Sequence, residues 1–179
     1  MTSLRKIIDA GLRAARTFAR RQDGGPASEF ALVAPFFIVM MLATVQVGVI
    51  YLANAYLETA TEDAARLVLT NQTSSMTAAQ FQTALCNNIT ALFNCSNIMV
   101  SLAPATSTTS ISTAAPTFNA NGTLATTLPY TQPIPGQIAV LQVLYQWPVI
   151  GLPLGFNFAN LGNGTYLMMS TQVFMVEAQ

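Results

Sequence analysis

The fold is decided by the stretch Gly24-Gly25-Pro26-Ala27-Ser28-Glu29-Phe30-Ala31-Leu32-Val33-Ala34-Pro35 and the apolar run behind it. Residues 30–57 are 28 consecutive positions without a charged side chain. A helix needs about 20 apolar residues to cross the hydrocarbon core of a bilayer. The run is therefore long enough to span a membrane and to emerge on its far side.

Charge is distributed unevenly on the two sides of this run. Residues 1–23 carry six of the seven Lys and Arg residues and a net charge of +4, whereas residues 24–179 carry a net charge of −4. Positively charged flanks stay in the cytoplasm, so the amino terminus is predicted inside and the carboxyl part outside. A nucleic-acid-binding arm is the competing interpretation of the leader. Beside a spanning segment a topology signal explains the charge better, and we expect no nucleic-acid partner.

A basic leader, a glycine break and a glutamate heading an apolar helix together resemble a prepilin peptidase substrate. Gly24, Glu29 five residues later, Phe30-Ala31 and then Pro35 resemble the amino-terminal motif of TadE-like proteins. That family comprises minor pseudopilins of tight-adherence (Flp, type IVc) pilus systems. The resemblance covers about a dozen residues, and the rest of the chain matches the family only in its layout.

The resemblance implies a processing site and a role for the glutamate. Cleavage after Gly24 would make Gly25 the new amino terminus and Glu29 the fifth mature residue. Gly25-Pro26 departs from the family pattern, in which small residues such as alanine are more usual. Whether the peptidase cuts after Gly24 or after Gly25 is therefore left open. In pilin-like families the glutamate pairs with an amino terminus, commonly that of a neighbouring subunit, and is recognised by the peptidase. The alternative role for Glu29 is that of an acid favoured by the helix macrodipole.

The chain is predicted to divide into three parts. These are a leader peptide at 1–24, a transmembrane and stalk helix at 25–70, and an exported domain at 71–179. Within the helix Pro35 removes a backbone donor, which predicts a kink. A Thr-, Ser- and Pro-rich loop is expected at about 103–136, with a short hairpin at its Asn-Gly turn signal.

The exported part is predicted to contain one short helix and three strands. The helix starts after Thr77, with Gln80 in a capping-box position, and its apolar stripe is Phe81, Leu85, Ile89 and Leu92. Alternating side chains predict strands at 97–102, 138–147 and 165–176. In the second of these strands one face is wholly apolar and consists of Ala139, Leu141, Val143, Tyr145 and Trp147. The fold class is therefore α+β: a long amino-terminal helix, a second short helix and a small, mainly antiparallel three-stranded sheet. This layout resembles the pilins.

Two cysteines, Cys86 and Cys95, fall in the exported part, where an even count favours a disulfide. A continuous helix would separate their Cα atoms by about 13.5 Å, and a disulfide tolerates about 7 Å at most. The helix must therefore end between them if the bond forms, with 87–88 and Asn94 as candidate break points. Two buried free thiols are the alternative.

The apolar segment 151–158 has two open interpretations. It contacts the membrane or a partner, or it is a loop that covers the core.

The sequence offers very few groups for catalysis. It contains no histidine, and two isolated cysteines cannot hold zinc without other ligands. We therefore expect no enzyme, no metal and no cofactor.

The sequence is thus interpreted as a non-catalytic minor pseudopilin of a bacterial inner membrane with an exported domain. Its expected partners are a prepilin peptidase, other pilin or pseudopilin subunits with the assembly machinery, and the lipid bilayer. One rival is an uncleaved, signal-anchored envelope protein whose exported domain binds a partner. Another is a secreted protein, released as residues 56–179 by a signal peptidase cut after Ala53-Asn54-Ala55.

Overall fold

The structure is a computed structural model that describes residues 25–87 and 89–177. It divides after Leu42 into two compact units. In chain order the helices and strands are α1 (Gly25–Leu69), α2 (Ala78–Cys86), β1 (Ile98–Ala105), β2 (Ile138–Pro148) and β3 (Thr165–Met175). Short 3-10 helices occur at Cys95–Asn97, Thr108–Ser110 and Pro153–Gly155. The predicted α+β arrangement is confirmed.

Helix α1 contains the apolar run and continues well beyond it. It is described from Gly25 to Leu69. In the first compact unit its large apolar side chains are exposed, as for Phe30, Leu32 and Phe37. Helical pairing satisfies the backbone groups within the segment, which is the condition for placing such a surface in lipid.

The three strands form one antiparallel sheet in the order β1-β2-β3. Leu141 lies opposite Leu102 on one side and opposite Gln172 on the other. Side chains alternate between the two faces of a sheet, so this register places the odd-numbered residues of β2 on the same face as the even-numbered residues of β1 and β3. That face is the predicted apolar face, and Leu102, Leu141 and Val143 are completely buried on it.

The second compact unit has one continuous hydrophobic core. Helix α1 contributes a buried stripe that recurs every three or four residues: Ile50, Ala53, Leu57, Ala60, Ala64 and Val68. Phe81 and Leu85 of α2 and the apolar face of the sheet belong to the same cluster. The stripe follows helical periodicity, so residues 50–68 both extend the apolar run and form one side of the core.

The second face of the sheet is also buried, which the sequence pattern did not indicate. Val140, Gln142 and Leu144 are all at most 8% exposed. The Gln142 Nε2 donates to the Ala114 carbonyl at 3.3 Å, and the Gln146 Nε2 donates to the Gly122 carbonyl at 2.6 Å. Carbonyls of the Thr/Ser-rich loop therefore satisfy amides that would be costly to bury unpaired.

The loop itself contains the expected short hairpin. Phe118 pairs with Leu124 across the Asn121-Gly122 turn. Gly122 has a φ of +79°, and a Cβ at this position would collide with the Asn163 side chain. Glycine is required here because an L side chain would meet both backbone strain and a steric clash.

Helix α2 is capped as predicted but is shorter than its apolar stripe. The Gln80 amide donates to the Thr77 hydroxyl and the Thr77 amide donates to the Gln80 side chain, completing the capping box. The helix ends at Cys86, so Ile89 is buried outside it and Leu92 is 41% exposed.

Cys86 and Cys95 form the predicted disulfide with their Cα atoms 5.6 Å apart. A continued helix could not have brought the two cysteines this close.

Replacing both cysteines with serine is expected to lower the unfolding free energy of the second unit by about 2–3 kcal/mol, because the bond closes a ten-residue loop. The midpoint of urea unfolding of the purified full chain measures the change. A reductant should move the wild-type midpoint to that of the double variant and leave the variant unchanged. Equal midpoints for oxidised wild type and variant would contradict the prediction.

Candidate processing and assembly site

The predicted cleavage residues lie where the described chain begins. Gly24 is outside the described residues, and Gly25 is the first residue of α1. Glu29 follows one helical turn later, and both Gly25 and Glu29 are exposed. The Ser28 hydroxyl donates to the Gly25 carbonyl at 2.8 Å. Residues four apart lie on one helix face, so Glu29 stands on the same side of the helix as Gly25.

Pro26 is the second described residue of α1. In a mature chain that starts at Gly25, Pro26 would lie in the first turn of the helix, where backbone N–H groups have no partner within the helix. Proline has no backbone N–H, and its fixed φ suits such a position.

Pro35 lies inside α1, which continues as helix through it. Proline in a helix interior leaves the carbonyl four residues earlier, that of Ala31, without its usual donor. Membrane helices tolerate this where neighbouring groups satisfy the freed carbonyl. The kink at Pro35 stays a prediction.

One helix of the described chain, α1, is long and apolar enough to cross a membrane. Its most apolar window has a mean hydropathy of 2.3, and only 11% of that window is buried. Exposed side chains of this kind are unfavourable in water at about 25 cal/mol per Å². The helix is therefore a candidate single-pass membrane anchor.

Groups suited to catalysis are scarce in the second unit. Residues 67–176 contain no Asp, Glu, Lys, Arg or His, and both cysteines are held in the disulfide. Residues 25–87 and 89–177 contain no cluster of potential metal ligands. Burial raises the pKa of the Tyr130 phenol above 10.0, and the hydrogen bond from Gln132 opposes the shift. This phenol therefore stays neutral near pH 7.

A cavity of about 620 Å³ opens at one end of the sheet. Its lining is uncharged and consists of Asn94, Ser96, Asn97, Met99, Tyr145, Gln146, Pro148 and Thr165. The Gln146 side chain is already engaged with the Gly122 carbonyl and the Asn163 amide. The lining has no carboxylate, amine, thiol or imidazole, the usual groups for acid–base or nucleophilic chemistry.

An aromatic cluster joins α1 to the sheet near the apolar run. The Phe93 ring lies 4.8 Å from Tyr145, 5.8 Å from Trp147 and 6.5 Å from Tyr56, between ring centroids. Sequence analysis placed Tyr145 and Trp147 on the apolar face but did not single out Phe93. The available signal was an aromatic residue inside the loop that the two cysteines close.

Comparison with known proteins locates the family resemblance in α1. Residues 26–66 match the family model described as TadE-like protein. No curated protein and no solved structure matches the chain. The matched segment starts just behind the predicted cut and ends at Arg66, the last charged residue of α1. Over this segment, about a quarter of its length, the chain is similar to TadE-like proteins.

Proposed function

We propose that this protein is a non-catalytic minor pseudopilin, cut by a prepilin peptidase between Gly24 and Gly25, that takes part in assembling an adhesive pilus. The family match beginning at residue 26 carries the proposal. The matched segment begins directly after the glycine break at Gly24-Gly25. Glu29 then stands one turn inside the helix, where a pilin-like pairing role needs it.

The proposed location is a bacterial inner membrane, crossed once by α1. The charge of +4 on residues 1–23 favours a cytoplasmic amino terminus. The part of the second unit that follows the span is then exported, where the disulfide between Cys86 and Cys95 would be stable. Its polarity comes from Thr, Ser, Asn and Gln, and an almost uncharged domain suits a role in subunit contacts better than one in catalysis.

The proposed partners follow from the exposed surface of the helix. Phe30, Leu32 and Phe37 are 56% or more exposed, and such side chains are stable only against lipid or another apolar helix. In the membrane they would contact the bilayer, and in a pilus they would contact other pilin or pseudopilin subunits and the assembly machinery. The leader would be read by the peptidase, and no nucleic acid is involved.

The experiment that tests this function determines the amino terminus of the mature protein by intact mass and terminal sequencing of envelope fractions. We expect a mature chain that starts at Gly25. Gly24→Leu should abolish the cut, because a bulky residue replaces the small one on the leader side. Gly25→Ala is the matched control, since a Cβ at Gly25 meets no atom within 4 Å, and it should be cut normally.

The same measurement separates the rival functions. A start at Met1 in wild type would overturn processing and favour the uncleaved envelope anchor. A start at Tyr56 would favour the secreted protein. That release would remove Ile50 and Ala53, which are 8% and 1% exposed, from the core of the second unit. Loss of buried core side chains typically costs several kcal/mol, which argues against a cut after Ala55.

A further inference from the structure

We infer that residues 149–158 form an interface loop that contacts the headgroup and upper acyl region of the bilayer crossed by α1. The inference rests on the proposed membrane anchor and adds a second lipid contact, made by the exported unit itself. It develops the first of the two interpretations of the apolar segment 151–158, contact with the membrane, and extends it to residues 149–150.

One end of the sheet is fixed at the carboxyl end of α1. The Glu177 amide, just after β3, donates to the Leu69 carbonyl at 3.1 Å. The Gly136 amide, just before β2, donates to the Val176 carbonyl at 2.9 Å. Strand β2 therefore starts beside Leu69, at the end of the helix that lies farthest from the apolar run.

The other end of β2 returns to the apolar run. Trp147 contacts Phe93, which stacks on Tyr56 of α1. Tyr56 is the penultimate residue of the uncharged run at 30–57. The chain then continues directly into Pro148 and the interface loop.

Lengths show that the loop reaches the level of the run itself. Strand β2 has 11 residues, about 33 Å at the rise of a strand. Helix α1 from Leu69 back to Tyr56 is only about 20 Å long. Strand β2 is thus long enough to reach Tyr56, and the contact of Trp147 with Phe93, which stacks on Tyr56, places its end there. Consistent with this, Val149 and Phe158 pack against the cluster that contains Ile50 and Ala53.

This level corresponds to the membrane surface. A hydrophobic span of about 20 residues counted from Phe30 ends near Val49. Residues 50–57 are then at the interface, and Tyr51, which is 77% exposed, fits the aromatic belt found there. The loop follows directly on Trp147, whose ring contacts Phe93, and Phe93 stacks on Tyr56 in this layer.

The composition of the loop suits lipid. Ile150 is 73% exposed, which is high for a β-branched aliphatic side chain, and Leu152, Phe156 and Phe158 are half-buried. The loop carries no charge, so entering the interface would strip water from no ionised group. Continuity with the spanning helix of the same chain identifies the occupant as lipid.

The test uses the full chain in phosphatidylcholine vesicles, with lipid brominated near the top of its acyl chains as a contact quencher of tryptophan. The chain has one tryptophan, so Trp147→Phe provides a silent background. Ile150→Trp in that background should lose about half of its emission, as expected for insertion of about 5–10 Å into the interface. Ile134→Trp is the matched control, because Ile134 is 63% exposed and lies two residues before Gly136, at the Leu69 end. It should keep its emission.

Each outcome decides between lipid and its alternatives. Equal emission of the two variants, in vesicles that retain the chain after alkaline washing, would overturn the loop contact and leave the anchor intact. A chain that is washed off would overturn both. Resistance of the residues outside the membrane to limited proteolysis, compared with the unmodified chain, reports that each variant is folded. If Ile150→Trp does not fold, quenching of Trp147 in the unmodified chain is measured instead, because Trp147 lies two residues before Val149. Quenching of Trp147 would support the loop contact, and its absence would overturn it.

Discussion

Glu29→Gln is expected to lower the amount of this protein recovered in pili at least about tenfold. In the proposed mature chain, Glu29 neutralises the ammonium of Gly25 at the membrane boundary, in the same subunit or in a neighbour. Removing one partner of a charge pair in a poorly solvated site typically costs about 3–5 kcal/mol, and each 1.4 kcal/mol is about a factor of ten. Glutamine keeps the size of the side chain, so the loss reports charge rather than packing.

The measurement is the ratio of this protein in sheared pili to that in the membrane, by immunoblot. Glu29→Asp is the matched control because it keeps the carboxylate, and it should retain most of the incorporation. Terminal sequencing of both variants separates assembly from processing, since Glu29 also has a proposed role in recognition by the peptidase. A Gln variant that is cut normally and enters pili at the wild-type level would refute the pairing role.

Local patterns predicted the regular elements well. Alternation over 139–147 predicted β2 and its apolar face, and Thr77 with Gln80 predicted the start of α2. These features depend on residues within about one turn or one strand, so a single sequence contains them.

Features that depend on distant parts of the chain were predicted less completely. The burial of Gln142 needs the carbonyl of Ala114, which comes from a loop without hydrophobic periodicity. The early end of α2 follows from the disulfide, which the spacing of the cysteines did anticipate. The candidate site was located by its motif at Gly24, Gly25 and Glu29. Its proposed partners belong to other molecules, so no pattern within this chain contains them.

Phe93 provides the largest expected effect on stability. Phe93→Ala should lower the unfolding free energy of the second unit by about 3–5 kcal/mol, because Phe93 is 4% exposed and its loss leaves a cavity. The ring contacts aromatic side chains of α1 and of β2, Tyr56 and Tyr145 among them. Each aromatic pair adds about 0.5–1.5 kcal/mol beyond burial. No other side chain of the disulfide-closed loop makes such contacts with both elements in the described residues.

The readout is the urea midpoint of the full chain in detergent, followed by the fluorescence of Trp147, whose ring centroid lies 5.8 Å from that of Phe93. Leu92→Ala is the matched control, because the neighbouring Leu92 is 41% exposed and its truncation should cost less than about 1 kcal/mol. An unchanged slope of free energy against urea concentration would assign the shift to stability. Similar midpoints for the two variants would mean that Phe93 does not anchor the sheet to α1. The helix would then be held to the sheet by its aliphatic stripe alone.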